Sequence, residues 1–174
     1  MGNSRFLFWV LLCTIIYVSC STLEENNEPQ INSILNSLDG ADVRGSSIGD
    51  KIEDVLEREQ DNIVHNMPDE ITCKIPISIK DSTYYDIIYN FNDNGLHVIE
   101  LDVFPSHDSA ASSLFNDLHA FYNKRYGSST ADDGYSSWFT KSQQGKDIEV
   151  TMINESKEMN KPYLSITFYE NSLN

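Results

Sequence analysis

At 174 residues with 40% hydrophobic side chains, the chain has room for one ordinary domain plus a processed or tethering segment. Its formal charge of −15 comes from 27 acidic against 12 basic residues, a balance that repels phosphate backbones and excludes nucleic acid as an expected partner. The same acidity argues against docking on anionic lipid through basic patches, although it leaves a covalent lipid anchor open.

The first element is a targeting segment. Arg5 supplies a positive charge, Phe6 to Val18 form an apolar stretch broken only by Thr14, and the small residues Ser19, Cys20 and Ser21 follow. A spanning helix needs roughly 20 mostly apolar residues, and Glu24 and Glu25 arrive too early for one. Tyr17-Val18-Ser19-Cys20 resembles a bacterial lipobox, with Tyr17 standing where that family usually carries an aliphatic residue. The resemblance implies cleavage before Cys20, acylation of its thiol, and tethering to the cell envelope by fatty chains. Secretion without acylation is the competing reading. The expected organisation is a signal peptide over residues 1–19, a lipidated cysteine with a flexible acidic, Asn-rich tether over 20–47, and one domain over 48–174. Loss of Cys13 with the leader and commitment of Cys20 to lipid leave Cys73 without a partner, so no disulfide framework is expected. On a strand, Cys73 reads as a small buried apolar side chain rather than a nucleophile.

Within the tether, Glu24, Glu25 and Glu28 form a solvated charge run, also found after the acylated cysteine of some surface-exposed lipoproteins. Ile31, Ile34, Leu35 and Leu38 fall at helical spacing, with Pro29 suited to a first turn and Gly40 to a stop. The domain proper is expected to begin near Ile48. A short amphipathic helix follows, with Asp50 as N-cap, Glu53 in a variant capping-box position, and Ile52, Val55 and Leu56 as its apolar stripe.

After Pro68 the hydrophobic period changes from helical to alternating. Ile71, Cys73, Ile75, Ile77 and Ile79 mark one strand, with Pro76 favouring an edge position. Tyr85, Ile87, Tyr89 and Phe91 mark a second; Ile99, Leu101 and Val103 mark a third, with Val98 and Phe104 on its other face. Asn94-Gly95 between them predicts a tight hairpin turn with positive φ. Asn90, Asn92 and Asn94 also echo a calcium loop, but its twelfth position is Leu101 and alternation contradicts helix–loop–helix, so no metal site is expected.

The longest helix is predicted next. Ser106 or Asp108 caps it, Leu114, Phe115, Leu118, Phe121 and Tyr122 form its stripe, and Gly127 stops it after Lys124 and Arg125. Three strands complete the chain, within YSSWFTK, DIEVTMI and PYLSITFYE; in the last, Leu164, Ile166 and Phe168 alternate with Tyr163, Ser165, Thr167 and Tyr169. The predicted class is therefore α+β: an antiparallel sheet of about five or six strands, helix-βββ-helix-βββ, with a short N-terminal helix and one longer helix packed on one face.

Ile48-Gly49-Asp50, Glu53-Asp54-Val55, Tyr126-Gly127, Trp138, Ile148-Glu149-Val150 and Leu164 to Tyr169 resemble a pattern in small bacterial lipoproteins. The front part is similar to the small lipoprotein of the outer-membrane barrel-assembly machine, in which helices pack on a short antiparallel sheet. The resemblance implies a non-enzymatic protein of the outer membrane, on its periplasmic or its outer side, and carries no functional residue across.

No cofactor loop or metal spacing is present, and His65, His97, His107 and His119 stand in four separate contexts. Two function classes follow. The first is a binding or scaffolding module whose exposed sheet face offers Tyr163, Tyr169 and Tyr84 to a protein or glycan. The second is an envelope hydrolase in which His107 converges with Asp132 or Asp133, with Ser106 or Ser109 as nucleophile. For these serines the ordinary role is helix capping, and for the two aspartates a solvated turn.

Overall fold

The computed structural model describes Ile34, residues 42–78 and residues 83–171. The leader, Cys20, the run Glu24, Glu25 and Glu28, and Pro29, Ile31, Leu35, Leu38, Gly40 and Ile79 lie outside these. Ile34 itself is helical and buried. Helix α1 (Ile52–Glu59) leads into β1 (Ile63–Asn66), β2 (Glu70–Ser78), β3 (Thr83–Asn92) and β4 (Gly95–Phe104). Helix α2 (Asp108–Tyr126) then leads into β5 (Thr130–Asp132), β6 (Tyr135–Lys141), β7 (Asp147–Asn154), the single turn α3 (Ser156–Met159) and β8 (Leu164–Glu170).

The strands make one antiparallel sheet in the order β1-β2-β3-β4-β8-β7-β6-β5. A helix followed by a four-stranded meander thus occurs twice, and the last strands of the two meanders, β4 and β8, pair at the centre. The class is α+β, but with eight strands among the described residues rather than five or six. The two additional strands, β1 and β5, are the sheet's edges. At 4 and 3 residues they are too short and too exposed to show an alternating pattern. Pro76 lies past the end of the β1–β2 pairing, where β2 is locally an edge, so its missing N–H interrupts no ladder on that side.

Both helices cover the same face. Tyr89, Ile99, Phe168, Val150 and Trp138 stand side by side across β3, β4, β8, β7 and β6, and all are buried. Leu114, Leu118 and Tyr122 of α2 close over this layer, with the Tyr122 ring 5.2 Å from Trp138 and 6.1 Å from Phe168. On α1, Val55 is fully buried, with Ile52 and Leu56 packed beside it. The register slips between Asn90 and Phe91, which lets Leu96 as well as Ile99 point into the core despite their odd spacing.

The packed domain reaches further back than Ile48. Val43, Ser46 and Ser47 are buried, and Asp42 accepts a hydrogen bond from the Ile48 N–H at 3.1 Å. Asp50 does not cap α1: Lys51 holds the N-cap position, and the Asp50 carboxylate takes the Ser47 N–H and the Arg58 guanidinium instead. Likewise His107, rather than Ser106 or Asp108, caps α2, through Nδ1 and the Ala110 N–H at 3.0 Å. Gly127 ends α2 as expected, its N–H bonded to the Asn123 carbonyl at 3.0 Å. At the β3–β4 hairpin only Gly95 has positive φ (107°); Asn94 instead donates its N–H to Asn92 Oδ1.

Candidate functional site

Alternation in the central strands puts a second set of side chains on the sheet face opposite the helices. Helices α1 and α2 cover the other side, and side chains such as Tyr84, Thr167 and Tyr169 stay partly exposed on this one. At one end of this face the rings of Tyr84 and Phe104 stack at 4.8 Å, and Tyr163 follows at 5.5 Å from Phe104. Tyr84 sits directly across β3 and β4 from Phe104, so pairing register alone makes them neighbours. At the other end Tyr169 lies between Val98 of β4 and Glu149 of β7, with the 57% exposed ring of Phe139 beyond Glu149 on β6. The two aromatic ends are six residues apart along β4, about 20 Å at 3.4 Å per residue.

All three tyrosines named from the sequence therefore belong to this face, unequally. Tyr84 and Tyr169 are partly exposed, whereas Tyr163 is only 8% exposed, with its hydroxyl donating to Asp102 Oδ1 at 2.5 Å. Burial and the hydrogen bond to Asp102 push the Tyr163 phenol well above its usual range. Tyr169 is pushed up to about 12 by burial and by Glu149.

Between the aromatic ends lie carboxylates. Asp86 and Asp102 stand directly opposite one another on β3 and β4, and Glu100 is two residues from Asp102 on the same face. Burial raises the Asp86 pKa, with Asp102 adding to the shift, and Glu100 is raised by burial and then by Asp102 and Glu70. Two lysines flank the pair without reaching ion-pair distance. The Lys74 ammonium lies 3.9 Å from the Tyr84 ring centre, and the Lys161 ammonium 4.5 Å from that of Phe104. No signal in the sequence placed Asp86 beside Asp102; a cross-strand pair becomes visible only once the register is known.

The proposed hydrolytic set does not assemble. His107 follows β4 and starts α2, whereas Asp132 is on the edge strand β5, four strands away from β4 and so about 19 Å across the sheet. Asp132 and Asp133 are exposed at a tight turn in which Asp133 and Gly134 have φ of 46° and 87°. Ser109 Oγ lies 2.9 Å from His107 Nδ1, the atom already accepting the Ala110 N–H. Beside these residues is an open groove of about 600 Å³ lined in part by His107, Lys157 and Lys161.

A second serine–histidine contact was not legible in the sequence. Ser129 Oγ is 3.0 Å from His119 Nε2, and Asn123 Nδ2 is 3.1 Å from His119 Nδ1. Its polarity opposes base catalysis. Asn123 Oδ1 accepts from both Trp138 Nε1 (3.0 Å) and the Ser129 N–H (3.1 Å), which fixes the amide with its NH2 toward the ring. Nδ1 must then be the acceptor, so Nε2 carries the proton and donates to the serine rather than taking its hydrogen. The network fastens the end of α2 to β6.

Cys73 is fully buried, and burial, reinforced by Glu59, pushes its thiol up to about 12, the protonated and unreactive form. Among the described residues no group of three or more His, Cys, Asp or Glu is placed to hold a metal ion, and no helix is long and apolar enough to cross a membrane. The chain matches no protein family, and no curated protein or solved structure is significantly similar to it.

Proposed function

We propose that this chain is a non-enzymatic, lipid-anchored binding module of the bacterial cell envelope, held at the outer membrane through Cys20 and presenting the open face of its sheet to a partner. The anchoring half rests on the lipobox-like Tyr17-Val18-Ser19-Cys20 and the short apolar leader before it. The binding half rests on one observation: the helices cover one side of the sheet, and the other carries Tyr84, Phe104, Tyr169 and Phe139 among carboxylates and hydroxyls. Such aromatic area supplies contact surface at low conformational cost.

Two experiments test the halves separately. Cys20→Ala should move the protein from the membrane to the soluble fraction, and mass spectrometry of the mature N-terminus should find an acylated Cys20. An unmodified N-terminus beyond residue 20 would refute acylation. A photo-crosslinking residue placed at Tyr84 or Thr167 should trap an envelope component, while the same residue at Asn116, exposed on α2, should not. Equal trapping at both positions would remove the face from the proposal.

A further inference from the structure

The open face gathers three partly buried carboxylates on which Lys74 and Lys161 act only from a distance. Glu59, Asp50, Asp147 and Glu170 each have an ion-pair partner within 2.8 Å, whereas Asp86, Glu100 and Asp102 have none among the described residues. Placing two like charges directly opposite on neighbouring strands works against the fold. The Oδ1 atom of Asp86 is moreover buried without a hydrogen-bond partner. Beside these carboxylates the stacked rings of Tyr84 and Phe104 already carry ammonium groups, those of Lys74 and Lys161. The chain thus displays, with its own side chains, the chemistry this end of the face accepts.

We infer that the open sheet face is the docking surface for a lysine- or arginine-rich protein segment, whose cationic side chains enter between the Tyr84–Phe104 stack and the Asp86–Asp102 pair. This rests on the reading of that face as a binding surface. Other occupants fit less well. The chain's own N-terminal segment carries Glu24, Glu25 and Glu28, and a second copy would bring the same carboxylates, so both repel. Anionic lipid or polyanionic glycan is disfavoured for the same reason. A neutral sugar brings no charge to the Asp86–Asp102 pair.

The test uses the purified mature protein and a fluorescein-labelled ten-lysine peptide, with a ten-glutamate peptide and a chitooligosaccharide as comparison ligands. Asp86→Asn with Asp102→Asn should weaken lysine-peptide binding by about tenfold or more. Asp132→Asn with Asp133→Asn, which removes the same charge from an exposed turn, should change it by less than about twofold. Tyr84→Leu should weaken binding about threefold at unchanged charge. Thermal unfolding keeps the comparison fair, since removing the opposed charges should raise the melting temperature of the face variant. Equal weakening by both aspartate pairs, or tighter binding of the chitooligosaccharide than of the lysine peptide, overturns the inference. If crosslinks still form at Tyr84 and Thr167 in that event, the binding surface stands and its cationic partner falls. If they do not, both fall.

Discussion

Arg44 grips Glu59 with two nitrogens, Nε to Oε1 at 2.8 Å and a terminal nitrogen to Oε2 at 3.2 Å. The pair joins the segment before α1 to the last residue of that helix, and it is largely out of water, with side chains 21% and 1% exposed. Tyr89 and Asn62 donate to the same carboxylate at 3.0 and 2.9 Å, while the Tyr85 hydroxyl accepts from Arg44 at 3.2 Å. Burial works against the guanidinium charge, yet the bonds to Glu59 outweigh it and hold Arg44 ionised. The grip requires a tight turn in which Arg44 and Gly45 have φ of 47° and 82°, a conformation ordinary side chains avoid. A buried carboxylate so fully bonded is a structural anchor.

Removing one partner of that pair should cost more than removing both. Glu59→Leu leaves Arg44 charged and the Tyr89 and Asn62 donors unmatched, with an expected loss of about 3 kcal/mol in urea unfolding. Arg44→Met combined with Glu59→Leu should recover most of it. A single-variant loss below about 1 kcal/mol would show that water reaches the pair.

Asp42 gives a pH dependence opposite in sign to that of an ion-paired carboxylate. Burial raises its pKa from 3.8 to about 6, against the opposing Ile48 N–H and Arg125 charge. The folded state therefore binds the proton more tightly than the unfolded chain. The penalty is complete above pH 6 and is relieved as pH falls from about 6 toward 4. Asp42→Asn, which keeps an acceptor for Ile48, should stabilise the protein by about 1–3 kcal/mol at pH 7 and by almost nothing at pH 4. Denaturant titrations of both proteins at the two pH values decide it. A constant difference between the two proteins would assign the effect to packing.

The Cys73 thiol should be inert in the folded protein. With its pKa pushed up to about 12 and no exposure, alkylation by iodoacetamide at pH 8 should run at least about a hundredfold slower than in urea. Rapid labelling under native conditions would mean that β2 opens locally.

Gly95 and Gly127 separate two costs that both come with positive φ. A Cβ on Gly95 would lie 2.7 Å from the Asp50 carbonyl oxygen and 2.9 Å from that of Gly49, whereas nothing lies within 4 Å of one on Gly127. Gly127→Ala should cost about 1 kcal/mol of backbone strain, and Gly95→Ala about 2 kcal/mol or more, because the hairpin tip must also leave the Gly49–Asp50 segment. That segment is bound to the tip by reciprocal 2.8 Å hydrogen bonds between Gly49 N–H and the Leu96 carbonyl and between Leu96 N–H and the Asp50 carbonyl. Equal thermal shifts for the two variants would contradict the close approach.

Periodicity alone determined the six longer strands, both longer helices and the core faces of Ile71, Ile87, Leu101 and Ile166, because burial imposes a period that a chain cannot satisfy by accident. Edge strands β1 and β5 escaped, since a few exposed residues held by backbone hydrogen bonds leave no side-chain pattern. The helix caps differ for a related reason: Asp50 is a good local capper, but its carboxylate is held by Arg58, and the Ala110 N–H is taken by His107 Nδ1 rather than by Ser106 or Asp108. Only the tertiary structure decided which residues share the open face. Asp86 meets Asp102, and Tyr84 meets Phe104, through a register set by the hairpin turn and the slip beside Phe91, whereas the strand order holds Asp132 on the edge, four strands from the β4 that leads into His107. The sequence carries what each residue prefers to bury; which residues become neighbours is fixed by how the strands align.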